Sequence, residues 1–210
     1  MKTVRAAARG DAWPMRWLHR LHLLGLSVLA VSLITSQALA QVKTEPFQWP
    51  GGARAAVSLS YDDALPSQLD NALPALNALG LRATFYLTLS NPTVSQRLAE
   101  WRRAAAAGHE LGNHTLFHPC SRSAPGRDWV APHRDLDRTS VTQLREEILL
   151  ANAFLQAIDG QTERTFTAPC TDPLAAGQPY LPAIRGDFVG IKSRVGGVAH
   201  SLATLDPLDL

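Results

Sequence analysis

The chain has 210 residues, 46% hydrophobic and 18% charged, which fits one or two globular domains and excludes a disordered or fibrous protein. Its formal net charge of +2 comes from the first forty positions, which hold five basic residues and Asp11; the remainder has 15 Lys and Arg against 17 Asp and Glu, a net charge of −2. Arginines scattered among acids make no clustered basic face, so a nucleic-acid partner is excluded.

The first segment has the layout of a leader. Arg5, Arg9, Arg16 and Arg20 precede the apolar run from Leu21 to Ile34, and "TSQALA" then supplies the small residues that a signal peptidase accepts. The run falls short of the roughly 20 apolar residues that a membrane span needs. We therefore read residues 1–40 as a secretory signal peptide cleaved after Ala40, with Met15 as an alternative start and an uncleaved N-terminal anchor as the competing reading. The protein is expected to be secreted or periplasmic, with no stable membrane insertion after leader cleavage. Export also decides how the two cysteines are read, because thiols outside the cytoplasm tend to pair. A Cys120–Cys170 disulfide is expected, two buried free thiols being the alternative.

From residue 54 onward, strand and helix patterns alternate. "RAAVSLSYDD" (54–63) is apolar, rich in small and β-branched residues and bounded by glycines and acids, as in a buried strand of a parallel sheet. "PSQLDNALPALNALG" (66–80) puts Leu69, Leu73, Leu76 and Leu79 at helical spacing and ends on Gly80, a C-cap residue. "LRATFYLTL" (81–89) is a second strand, and "TVSQRLAEWRRAAAAG" (93–108) a second helix with Val94, Leu98 and Trp101 on one face. "HELGNHT" (109–115) gives a short third strand. After a loop rich in Pro, Gly and Arg (121–138), Ser140 and Gln143 match a capping box that opens the helix "VTQLREEILLANAFLQAI" (141–158). "RTFTAPC" (164–170) and "DFVGIKS" (187–193) supply a fourth and a fifth strand. Such alternation with short connections implies parallel pairing and right-handed crossovers, hence an open α/β sheet or a (β/α) barrel. Both architectures gather their chemistry at the carboxyl ends of the strands.

By that rule Asp62 and Asp63 at the end of the first strand, His114 after the third and Cys170 at the end of the fourth share one rim. An Asp pair by itself is as well explained by capping or turning the chain. His114 and His118, four residues apart, point the same way, the geometry of many two-His metal sites. Two imidazoles and one carboxylate suit zinc, leaving a fourth position for a water whose pKa drops to about 7 and a second carboxylate for proton transfer. His109 and His133 lack partners of this kind. Trp101 and Trp129 read as packing residues, Trp129 being the one in a loop from which it could stack on a pyranose.

These residues resemble the polysaccharide deacetylases, the family-four carbohydrate esterases with a chitooligosaccharide-deacetylase homology domain. "SLSYDDA" is similar to their first motif (Thr-Phe-Asp-Asp-Gly), with Tyr61 and Ala64 replacing Phe and Gly. "HTLFHP" is similar to the second (His-Ser/Thr-x-x-His-Pro), and "TAPC" stands where the third (Arg-x-Pro-Tyr) belongs. The resemblance covers residues 53–193 and implies a parallel (β/α) barrel-like deacetylase fold, here incomplete at about five strands, over a domain of residues 41–210. It further implies that Asp63, His114 and His118 hold a metal, usually zinc, and that Asp62 is the base deprotonating the metal-bound water. The backbone N–H of Cys170 would meet the oxyanion, and the substrate would be an N- or O-acetylated oligo- or polysaccharide.

Two departures stand out. Thr167 occupies the place of an arginine that orients the base, and Arg164, three residues upstream, points to the other face of a strand. The family's late motifs, with a leucine-lined acetyl pocket and a histidine acid, follow a sixth or seventh strand, whereas His200 lies in a Gly-rich stretch near Leu210. The chain is then a fragment of a longer product or a degenerate member with an open sheet edge. Two other readings stay open: a catalytically impaired relative that binds carbohydrate or metal, and a metal-dependent hydrolase of other amides.

Overall fold

The structure, a computed structural model, describes residues 49–193 and 205–209. The leader at 1–40 and His200 lie outside the described residues. In chain order the strands are β1 (Ser60–Asp62), β2 (Thr84–Leu87), β3 (Glu110–Asn113), β4 (Thr165–Thr167), β5 (Leu174–Ala175), β6 (Gln178–Pro179) and β7 (Gly190–Lys192). Five of them form one sheet in the order β1-β2-β3-β4-β7, every pair parallel, while β5 and β6 make a separate antiparallel hairpin. The helices are α1 (Leu73–Ala78), α2 (Pro92–Gln96), α3 (Leu98–Ala106), α4 (Val141–Asp159) and α5 (Leu181–Ile184). This is the expected incomplete (β/α) arrangement of five parallel strands. No helix among the described residues is long and apolar enough to cross a membrane.

Strand alternation sorts the two faces of the sheet. Phe85, Leu87, Leu111, Phe166 and Ile191 point outward and are fully buried, Phe85, Leu87 and Leu111 with Trp101 and Leu155 from the helices, Phe166 and Ile191 with Leu144 and Ile148. The intervening residues carry polar or small side chains toward the opposite face. There Glu110 accepts from the hydroxyls of Thr84 and Thr165, each at 2.6 Å, tying β2, β3 and β4 together. The sheet is strongly curled. Laid flat, five strands would separate their edges by about 19 Å at about 4.8 Å per strand, yet Lys192 on β7 touches Asp62 on β1.

Helix boundaries follow local chemistry. Ser140 caps α4 with the full capping box to Gln143, and Gly160, in the left-handed region at φ 74°, ends it. Four expectations need correction. The run 54–63 is not a buried strand: only Ser60–Asp62 pair, and Val57 is 83% exposed, because β1 lies at a sheet edge with a partner on one side alone. Leu79 leaves the buried face of its helix, since α1 stops at Ala78 and the chain turns at Gly80. The second helix is two, broken at Arg97, whose guanidinium reaches Glu100 and Asp70 at 2.7 Å each. The outer edge of β7 is not fully open either, because the Ile191 N–H donates to Pro207 O at 2.8 Å. The hairpin β5–β6 turns through Ala176 and Gly177 at positive φ, and its local signal is the two-residue Ala-Gly turn within "LAAGQP".

Arg164 proves structural. Its guanidinium binds Asp159 at 2.6 Å and also donates to the carbonyls of Leu111 and Gln161, with both charged side chains almost fully buried. Removing one partner strands a buried charge, so Arg164→Ala is expected to lower stability by about 3–5 kcal/mol in urea denaturation. A loss below about 1 kcal/mol would mean that water reaches the pair.

Candidate metal centre

Three loops at the carboxyl ends of β1, β3 and β4 build the site, and all three are held in uncommon backbone conformations. Asp63, Ala64, Thr115, His118, Cys170 and Thr171 all have φ between 55° and 80°, a concentration of strain that persists only where surroundings fix it. After β1, Asn91 Nδ2 donates to Asp63 O at 2.9 Å and Thr93 Oγ1 to Ala64 O. After β3, buried Asn113 accepts from Thr115 N and donates to Ile148 O and Asn152 Oδ1 on α4. Thr115 Oγ1 in turn accepts from His118 N at 2.9 Å. Glu147 of α4 reaches up under the same loop and accepts the N–H groups of Leu116 and Phe117 at 3.1 and 3.0 Å.

The loops bring Asp63, His114 and His118 together. Asp63 Oδ1 lies 3.2 Å from the Nε2 of each imidazole, and the two rings meet edge to face with centroids 4.8 Å apart. His114 is buried, and its Nδ1 donates to the carbonyl of Thr167 at 2.9 Å. A carbonyl can only accept, so Nδ1 carries the proton and neutral His114 turns a bare Nε2 lone pair toward a carboxylate oxygen. Two acceptors at 3.2 Å need a proton or a cation between them. Where the imidazoles are protonated, hydrogen bonds from His114 and then His118 hold the Asp63 carboxyl well below the usual carboxylate range. The three ligand atoms lie within 4.8 Å of one another and so could hold a metal ion. A second grouping, His118 with Cys120 and Cys170, offers no thiolate because its sulfurs are bonded to each other.

That disulfide joins the loop after β3 to the turn after β4 across 50 residues, a closure worth on the order of 4 kcal/mol in the chain-entropy account. Arg127 reinforces the same junction, donating to Asp172 at 2.8 Å and to Cys170 O at 3.3 Å. Asp62 stands beside the cluster at the end of β1. A cleft of about 420 Å³ is lined by Asp62, Asp63, His114, His118, Cys170 and Lys192. Lys192 was not singled out from the sequence, although the rim rule that selected Asp62 and His114 applies equally to the last residue of "DFVGIK". Trp129 is corrected from packing to surface: it is 60% exposed, 6.4 Å from the His118 ring, whereas Trp101 is buried. His109 lies away from the cluster, accepting from Ala83 N and meeting Asn77 Oδ1, and burial lowers its pKa.

The sequence model of the family described as Polysaccharide deacetylase matches residues 37–175. No curated protein matches the chain. The Xyl-CE4 domain of a multidomain xylanase from the hindgut metagenome of Trinervitermes trinervoides is similar at 24% identity, over 54% of this chain and 47% of that one, with a TM-score of 0.43. Peptidoglycan deacetylase PdaC from Bacillus subtilis is 24% identical over 54% and 48%, TM-score 0.42. A CE4 family pseudoenzyme from Bacillus anthracis is 21% identical over 64% and 41%, TM-score 0.45. The chain thus spans about half the length of these solved structures.

Glu147 is the support most open to test. Burial raises its pKa above the ordinary glutamate value of 4.5, so its contribution to stability is complete below that value and declines as pH rises through the raised one. Glu147→Gln keeps an acceptor for both loop N–H groups without the buried charge. It is expected to be at least as stable as wild type near neutral pH, the advantage vanishing in acid, by urea denaturation across pH. Glu147→Ala, which removes the acceptor, is expected to cost about 1–2 kcal/mol.

Proposed function

Because the chain belongs to the polysaccharide deacetylase family, we propose that it is an exported hydrolase that removes acetyl groups from N- or O-acetylated carbohydrate, cleaving the amide or ester bond. The observation that carries this is the meeting of Asp63, His114 and His118 within 4.8 Å, next to Asp62, in one cleft. The donor set, one carboxylate and two imidazoles with the His114 tautomer fixed by Thr167 O, suits zinc. Such an ion, held by these three residues, would supply Lewis acidity that polarises the acetyl carbonyl and acidifies water.

The residues of the chain do the rest. Asp62 takes the proton from the attacking water as its oxygen bonds to the acetyl carbon. The Cys170 N–H, held by the turn and by the disulfide, is assigned to the oxyanion, where a fixed backbone dipole costs no reorganisation. Collapse of the tetrahedral species breaks the carbon–nitrogen or carbon–oxygen bond, the electron pair leaving with the nitrogen or oxygen, which takes up the proton held by Asp62, and releases acetic acid and the free amine or hydroxyl. Residues 1–40 are proposed to direct export, and mass spectrometry of the mature protein from its native host should find Gln41 at the N-terminus.

A catalytically impaired carbohydrate- or metal-binding relative is the second reading, and Thr167 is the residue that favours it. Its hydroxyl turns to Lys192 O at 3.2 Å and brings no charge to Asp62. Acetate release from chitooligosaccharides, acetylxylan and peptidoglycan fragments separates the two. Asp62→Asn is expected to lower kcat by about 10²–10⁴-fold, the range for general acid–base catalysis, with the fold intact; equal rates for wild type and variant would remove the proposed chemistry. His114→Ala is expected to lose stoichiometric zinc while keeping its circular dichroism spectrum. Wild-type zinc content in that variant would show that the ligand assignment is wrong.

A further inference from the structure

Lys192 stands at the carboxyl end of β7, the sheet edge opposite β1. Its Nζ lies 2.8 and 2.9 Å from the two carboxylate oxygens of Asp62 and 3.3 Å from Ser60 Oγ. The side chain is only 23% exposed, and its ammonium sits 4.9 Å above the ring of Tyr86. Tyr86 can occupy that place because residue 112 has no side chain: a Cβ at Gly112 would collide with ring atoms Cδ1 and Cε1. An ammonium held between an aromatic face and a carboxylate, in a cleft that excludes part of the solvent, differs from a solvated surface lysine.

The grip has a consequence for Asp62. The terminal torsion of an aspartate is broad, so a free carboxylate at the rim would sample many directions. Asp62 is also next in sequence to Asp63, and a loose second carboxylate could swing in to join the ligand atoms of the cluster. We propose that Lys192 is a positioning residue for Asp62, aiming its carboxylate into the cleft and holding it beside the Asp63–His114–His118 cluster rather than within it. The effect on turnover rests on the deacetylase reading; the effect on where the carboxylate points does not.

The test uses the full chain with Lys192 replaced by Met, by Gln and by Arg, alone and with Asp62→Asn. On an acetylated glycan that wild type hydrolyses, Lys192→Met and Lys192→Gln should lower kcat by about 10- to 100-fold, at or below the lower end of the roughly 10²–10⁴-fold that general acid–base catalysis supplies, because the base is misdirected rather than removed. KM should stay within about twofold, a split that loss of structure alone would not produce. Lys192→Arg should restore most of kcat, and Lys192→Met should cost nothing further in the Asp62→Asn background. Unchanged kcat in both neutral variants, or a full additional loss in the double variant, would overturn the inference. A second readout needs no turnover: crystal structures of wild type, Lys192→Gln and Lys192→Arg. The Asp62 carboxylate should turn from its wild-type direction in the Gln variant and keep it in the Arg variant, and a carboxylate unmoved by Gln would overturn the proposal. Should wild type release no acetate from any glycan, the deacetylase reading fails, and the direction of Asp62 in these structures still decides the role of Lys192.

Discussion

The period of two along the strands is the constraint on which the other features depend. It sends Phe85, Leu87, Leu111, Phe166 and Ile191 into the cores beneath the helices, and by the same geometry sends Tyr86, Gly112, Thr165 and Lys192 to the other face. The side chains of the first set carry no polar atom of their own to satisfy. Facing the second set inward leaves a sheet surface too polar to form a dry core, so it must satisfy itself. Glu110 does this between Thr84 and Thr165, and Lys192 between Ser60, Asp62 and Tyr86. A one-residue slip in β7 would move Lys192 to the helix side and Ile191 to the cleft, removing a core contact and the cation at once.

Parallel pairing then adds a second condition. All five strands end on the same rim, so loops separated by many residues meet there, each with a conformation that the sequence alone would not favour. The strain at Asp63, Ala64, Thr115, His118, Cys170 and Thr171 is offset by specific partners rather than by bulk packing. Asn91, Asn113 and Glu147 hold backbone groups of the β1 and β3 loops, and the disulfide with Arg127 and Asp172 holds the β4 turn. None of these residues belongs to the ligand set, yet the 3.2 Å convergence on Asp63 Oδ1 depends on them.

The sequence was legible where a short-range pattern carried the information. Helical spacing located Leu69, Leu73 and Leu76, the Ser140–Gln143 pair marked the start of α4, and the rim rule grouped Asp62, Asp63 and His114. It failed where partners were distant. Whether residues 54–59 pair depends on which strand lies next to β1, and at an edge there is none on one side. That Glu147, in the middle of a helix, would support a loop ending at His118 is a tertiary fact with no local signature. Trp129 likewise could not be sorted between core and surface from its neighbours in a loop.

The absent arginine shows why motif reading and structure diverge at this rim. Thr167 ends β4 without a charge, and Arg164, the nearest cation in the same segment, faces the other side of the sheet by strand alternation. The Arg164 guanidinium is spent on Asp159 at the other end of β4. A curled sheet, however, supplies neighbours from both edges. Asp62 lies far from Lys192 in sequence and at the opposite end of the strand order, yet curvature makes them contact. A charge at the rim can therefore come from any strand end that the curl brings near, whichever of the five strands carries it. The same curvature makes the Asp62–Lys192 pair a closure between edges as well as a local ion pair, so the shape of the sheet and the direction of one carboxylate are coupled through a single ammonium.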